Sequence, residues 1–251
     1  MDGLIFGVCS LATAIGAAIC FRYAYRLRDQ PTYRVARWSR ALAVVVCFIG
    51  SLTAVPVVAD VFNRATGVGN GAKLVAHLCA VLFCACLQIM IVDWMYEKPY
   101  VSSGVWARVV LVASVVTALT FQFRTANDPG LPFTTDSAHN LPIVAYLLTY
   151  LGFLAIAGLE ISVLSAGMAV HSWRDRQMAA VGLTLVALGG ASCVAYSISK
   201  GGYLIAVQVS HPWALGTEQA VSSPLAGVGV LFVVIGLCVT IAGSRRAVVR
   251  R

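Results

Sequence analysis

Charge is scarce in this chain. Asp, Glu, Lys and Arg make up 11% of 251 residues, and only ten side chains are acidic. Apolar residues account for 59% and the mean hydropathy is +0.85, which excludes an ordinary soluble domain. The longest polar gaps, 124–140 and 201–223, are shorter than the ~50 residues an independent module needs. Catalytic signatures are missing too. There is no H-E-x-x-H, no G-x-S-x-G, no phosphate-cradling G-x-x-x-x-G-K-[ST], and no pair of aspartates at helical spacing within one apolar stretch. The expectation is a single domain over 1–251 that is not an enzyme.

What the chain has is seven apolar stretches, at 3–21, 41–61, 72–94, 105–123, 141–170, 178–199 and 224–242. Most are close to the ~20 residues that cross a hydrocarbon core as a helix. The predicted fold is all-α: a polytopic bundle of seven transmembrane helices in the plasma membrane.

Basic residues predict its orientation, because they are retained on the cytoplasmic side. Arg22, Arg26, Arg28, Arg34, Arg37 and Arg40 follow the first stretch, and Lys98 and Arg108 follow the third. Arg174 and Arg176 follow the fifth, and Arg245, Arg246, Arg250 and Arg251 follow the seventh. Only Arg64, Lys73, Arg124 and Lys200 fall on the other side, so the N-terminus is expected outside and the C-terminus in the cytoplasm. Nothing basic precedes the first stretch, so it reads as a retained N-out helix and not as a cleaved signal. Ile19 before Cys20 also argues against a lipoprotein anchor.

A net charge of +8 in a soluble protein would suggest nucleic acid, but here the excess sits in topogenic loops and no nucleic acid is expected. The six arginines between 22 and 40 alternate with Tyr23, Tyr25, Tyr33 and Trp38. That mixture suits anionic headgroups at the inner face, at about 1 kcal/mol per basic residue, or a protein partner docking there.

All eight cysteines fall within the apolar stretches, which argues against an extracellular disulfide framework. Cys79, Cys84 and Cys86 do not share a helical face and read as packing thiols. Small residues recur every four positions at Gly3 and Gly7, at Gly158, Ser162 and Ala166, and at Ala187, Ala191 and Ala195, a spacing that lets membrane helices approach closely. Pro56 is expected to kink the second helix.

Ionisable side chains within or beside the spans carry most of the functional information, because a charge at mid-membrane costs about 2.5–3.5 kcal/mol on insertion scales. Asp60, His77 and Lys200 are expected to form a polar cluster in the outer leaflet, and Glu160 is the deepest acid. These four are the candidates for ligand binding or proton coupling. Asp93 and Glu97 read as interfacial partners of Arg174, Arg176 or Arg108. No cofactor is expected. Only His77 is clearly intramembrane, so an axial histidine pair for haem is missing, and the last span has no lysine for a retinal Schiff base. His139 and His211 belong to different loops, so no metal site is expected either.

The stretch G-V-G-N-G-A-K-L-V-A-H at 67–77, with Pro56 before it, the Cys-rich helix after it, and Tyr146, Tyr150 and Glu160 further on, resembles an uncharacterised actinobacterial family of seven-helix membrane proteins. Its members are usually labelled as transporters. The resemblance covers the membrane portion, and longer members continue into a cytoplasmic C-terminal region where this chain stops at Arg251. It implies functional weight at Pro56, Gly67, Asn70 and His77.

Two functions fit these observations. The first is a sensory or partner-binding module that takes a small molecule or lipid from the outside, near His77, Asp60, Phe133 and Trp213. The second is a proton-coupled secondary transporter that uses Glu160 or His77, although no internal repeat or clearly broken helix supports it.

Overall fold

The computed structural model describes residues 2–128, 130–175 and 177–249, with the side chains of residue 2 and 244–249 outside the description. Arg176, Arg250 and Arg251, and the side chains of Arg245 and Arg246, therefore lie outside the described residues. The described residues form eight α-helices, α1 (Asp2–Arg26), α2 (Arg34–Thr53), α3 (Pro56–Thr66), α4 (Gly71–Met95), α5 (Lys98–Ala126), α6 (Leu141–Ser172), α7 (Gln177–Gln208) and α8 (Leu215–Val249). A single 3-10 turn, Thr135–Ser137, interrupts the α5–α6 connection. All the helices except α3 are long and apolar enough to cross a membrane, as a multi-pass integral membrane protein requires.

Six helices close a ring. The helix α1 packs on α2 and α8, α4 on α2 and α6, and α7 lies between α6 and α8, while α5 sits outside against α4 and α6. Short connections make sequential helices antiparallel. One end of the bundle carries α3 and the α5–α6 and α7–α8 connections, here termed the loop-rich end. The opposite, arginine-rich end carries the α1–α2, α4–α5 and α6–α7 turns.

Local chemistry explains the boundaries. The chain does not kink at Pro56: α2 stops at Thr53, and Pro56 opens α3, where its missing N–H costs nothing. The second apolar stretch thus supplies one span and a separate helix with no buried residue. Gly67 ends α3 at φ 68°, a left-handed cap suited to glycine. The Asn63 side chain accepts from the Ala72 N–H at 2.9 Å and caps α4. The N-terminus of α2 is served in the same way from α4, since the Asp93 carboxylate accepts from the Ala36 N–H at 2.7 Å. Asn140 caps α6 through the Ile143 N–H at 3.3 Å.

The last two helices are longer than the hydropathy implies. The helix α7 runs beyond position 199 to Gln208, α8 starts at Leu215, and Pro224 lies inside α8 instead of at its start. Much of the expected 201–223 loop is therefore helical. The tightest packing is at glycines spaced seven apart. A Cβ on Gly182 would meet the Gly236 carbonyl oxygen at 2.7 Å, and one on Gly189 would meet that of Gly229 at 2.8 Å. Such spacing keeps small residues on one face, so that the α7 and α8 backbones touch. Gly158 and Gly190 do the same between α6 and α7. The pair at Gly3 and Gly7 does not, since nothing lies within 4 Å of a Cβ at Gly7.

Candidate functional site

The polar groups of the loop-rich end lie on α4, α6, α7 and α8, which follow one another around the ring. His77 on α4 stacks on Tyr150 of α6 with ring centroids 4.2 Å apart, and its Nδ1 lies 2.9 Å from the Tyr146 hydroxyl. Tyr146 and Tyr150 are one helical turn apart, which puts both on the α6 face turned to α4. Lys73 and Lys200 lie close enough for their charges to act on the His77 ring. Asp60 is elsewhere. It belongs to α3, where it is exposed, so it is not an acid at the outer end of the second span.

The acid at this end is Glu218, in the first turn of α8 and only 1% exposed. One carboxylate oxygen accepts from the Thr135 hydroxyl at 2.9 Å, and the other lies 4.0 Å from Lys200 Nζ. That second oxygen has no hydrogen-bond partner, and neither has the Ser222 hydroxyl one turn further along α8, also fully buried. The Lys200 ammonium also sits 5.6 Å from the centre of the Tyr196 ring. Buried polar atoms in native proteins are nearly always satisfied, so two such atoms a turn apart make this end a candidate binding site.

The α5–α6 connection covers this cluster. Phe133, 1% exposed, inserts against Phe123 and Tyr146 at centroid distances of 5.2 and 4.9 Å. Gln208 of α7 donates to the Ala138 carbonyl at 2.6 Å, and Gln219 of α8 donates to Asp136 at 3.2 Å. From the other side Asn70, itself left-handed at φ 58°, donates to the Leu131 carbonyl at 3.1 Å and to the Asn127 side chain at 3.2 Å. Asn70 thus ties the α3–α4 turn to this cap, whereas Pro56 and Gly67 shape backbone. Trp213 packs edge-on against Tyr203, with centroids 5.6 Å apart.

Glu160 forms a separate cluster nearer the arginine-rich end. One of its oxygens is paired with Arg108 of α5 and the other accepts from Gln88 Nε2 of α4 at 2.5 Å. Arg108 is therefore the partner of Glu160 and not of Asp93, which caps α2.

The six arginines between 22 and 40 separate into two groups. Arg22, Arg26, Arg28 and Arg34 are exposed at the end of the bundle. Arg37 and Arg40 turn inward and are 6% exposed each, so they are not on the surface that would meet headgroups. Arg37 donates to the carbonyls of Leu27, Gln30 and Thr32 and staples the α1–α2 turn. Arg40 lies over the rings of Trp94 and Tyr23, at 5.1 and 5.9 Å.

Of the sequence candidates, the structure places Lys200 within electrostatic reach of His77, Asp60 outside the cluster and Glu160 in another. Glu218 and Ser222 lie in the polar gap 201–223 and Thr135 in the gap 124–140, outside the apolar stretches that hydropathy marks. The available signal was Glu218 one turn before Ser222, within a stretch free of glycine and proline from 217 to 223. Comparison of the chain with protein-family models, with curated proteins and with solved structures gives no match.

Proposed function

We propose that this is a plasma-membrane module that recognises a polar small molecule at its loop-rich end and passes occupancy along α7 and α8 to the arginine-rich end. The observation that carries the reading is the buried, half-satisfied Glu218 carboxylate beside the unpartnered Ser222 hydroxyl. An ionisable group inside a membrane bundle is a functional candidate by default, because its desolvation has to be offset. A ligand with an ammonium or hydroxyl group would satisfy both atoms in exchange for the long contact to Lys200. The glycine contacts between α7 and α8 make those helices a tightly packed pair, suited to carrying a displacement from one end to the other.

In this reading the protein binds and does not turn over substrate, the N-terminus is outside, and the exposed arginines face anionic headgroups or a partner. Membership of the actinobacterial family belongs to the same proposal. The proton-coupled transporter is the second reading. It has less support, because both oxygens of Glu160 are engaged, one of them by a permanent cation.

The test is a thermal-shift screen of the purified full chain with amines, amino acids and polyols, repeated on Glu218→Gln and Lys200→Met. A hit that stabilises the native chain and is lost in both folded variants supports recognition at Glu218. A hit retained by both moves binding elsewhere. Solute-driven pH change in proteoliposomes that disappears in Glu160→Gln would establish transport instead.

A further inference from the structure

Between α6 and α7, on the arginine-rich side of their glycine crossing, lies a lateral cleft of about 620 Å³. Ala166 and Ala169 of α6 and Ala187 and Ala191 of α7 line it, with Trp173 and Arg174 at one end. The helices cannot separate at its other end, because Gly158 and Gly190 hold the backbones together there. From Ser162 to the end of α6 at Ser172 the cleft follows the helix for about 15 Å at the helical rise, and Trp173 and Arg174 continue it into the turn. That is roughly the depth of one leaflet of a ~30 Å hydrocarbon core.

Its chemistry changes along its length. The two hydroxyls in the wall are already engaged: Ser162 donates to the Ala187 carbonyl at 2.9 Å and Thr184 to that of Ala180 at 3.0 Å. The trough therefore presents hydrocarbon. At the interface end Arg174 is the one charged residue in the lining, beside Trp173 at 53% exposure. Val170 and Leu188, exposed at 78% and 46%, leave the side of the cleft open to the bilayer. An amphiphile with one chain and an anionic head matches this gradient, since an arginine fork binds phosphate oxygens while tryptophan settles at headgroup level.

We propose that the α6–α7 cleft seats one anionic phospholipid, with an acyl chain lying along the alanines and its phosphodiester on the Arg174 guanidinium. This site is independent of the Glu218 cluster and of the exposed arginines on α1 and α2.

The test uses the full chain reconstituted in vesicles of equal phosphatidylglycerol and phosphatidylcholine, released gently and weighed by native mass spectrometry. The native chain is expected to retain one phosphatidylglycerol, preferred over phosphatidylcholine about fivefold, the size set by one basic residue at a membrane surface. Arg174→Gln should abolish the preference, and Ala166→Leu or Ala191→Leu should eliminate the bound lipid. Both alanines are exposed, so the added carbons fill the cleft and leave the core alone. Arg64→Gln, on exposed α3 at the opposite end of the bundle, should change nothing. Retention unaffected by either leucine variant overturns the proposal, as does equal retention of the two lipids by the native chain. Displacement by millimolar inorganic phosphate would also overturn it, because a simple anion site needs no chain. A photoactivatable phosphatidylglycerol must label peptides of α6 or α7, and labelling confined to other helices is equally fatal.

Discussion

Arg108 of α5 closes an ion pair onto Glu160 of α6, and Gln88 of α4 donates to the same carboxylate, so three helices meet at one side chain. Removing one partner of such a pair leaves a poorly solvated charge behind. Arg108→Gln is expected to destabilise the bundle by about 1–3 kcal/mol, since both side chains are partly exposed. The double variant with Glu160→Gln should recover part of that loss, because an amide can still accept from Gln88. Unfolding in mixed detergent micelles measures all three variants, and strictly additive losses would show that the pair is not coupled.

The Tyr146 hydroxyl lies within hydrogen-bonding distance of the His77 ring, while Tyr150 supplies the stack. Tyr146→Phe keeps the packing and removes the hydroxyl, so it should cost about 1–2 kcal/mol. His77→Ala should cost more, since the ring fills space between two helices. Equal melting temperatures for Tyr146→Phe and the native chain would mean that the contact contributes nothing.

The glycines separate packing from propensity. At Gly190 a Cβ would lie 2.7 Å from the Gly158 carbonyl oxygen and 2.9 Å from the Ser162 nitrogen, so Gly190→Ala should cost about 1–3 kcal/mol by overpacking. Gly167 has nothing within 4 Å, and Gly167→Ala should be neutral or stabilising by up to about 1 kcal/mol. Thermal denaturation of the two variants side by side decides the matter, and similar losses would contradict it.

Arg37 and Arg28 are close in sequence and opposite in role. Arg37→Ala leaves the carbonyls of Leu27, Gln30 and Thr32 without their donor and should cost about 2 kcal/mol. Arg28 is exposed, with Asp29 at 3.7 Å and the Tyr25 ring at 4.8 Å, so Arg28→Gln should leave stability within about 0.5 kcal/mol. Proteolysis within the 27–33 turn offers a second measurement, and only the Arg37 variant should be cut faster.

The sequence by itself determined that this is an all-α chain with seven membrane-crossing helices, because the cost of unpaired backbone groups in hydrocarbon allows a long apolar run little else. It also singled out His77, Lys200 and Glu160, because an ionisable side chain within or beside an apolar run is visible from position alone. Partners were another matter. Asp60 sits 17 positions from His77, which hydropathy cannot distinguish from a neighbour, yet it lies on an exposed helix because Pro56 begins a new one. Arg37 and Arg40 follow the same charge pattern as Arg22 and Arg26, and only the α1–α2 turn and the rings of Tyr23 and Trp94 drew them inward. Glu218 was hidden because hydropathy marks the hydrocarbon limits and not the helix ends, so α7 and α8 run past them and bury an acid beneath the Thr135 cap. Hydropathy is a sum over neighbours in the chain, whereas a carboxylate's partner is chosen among helices that tertiary packing brings together, and only the folded bundle could decide it.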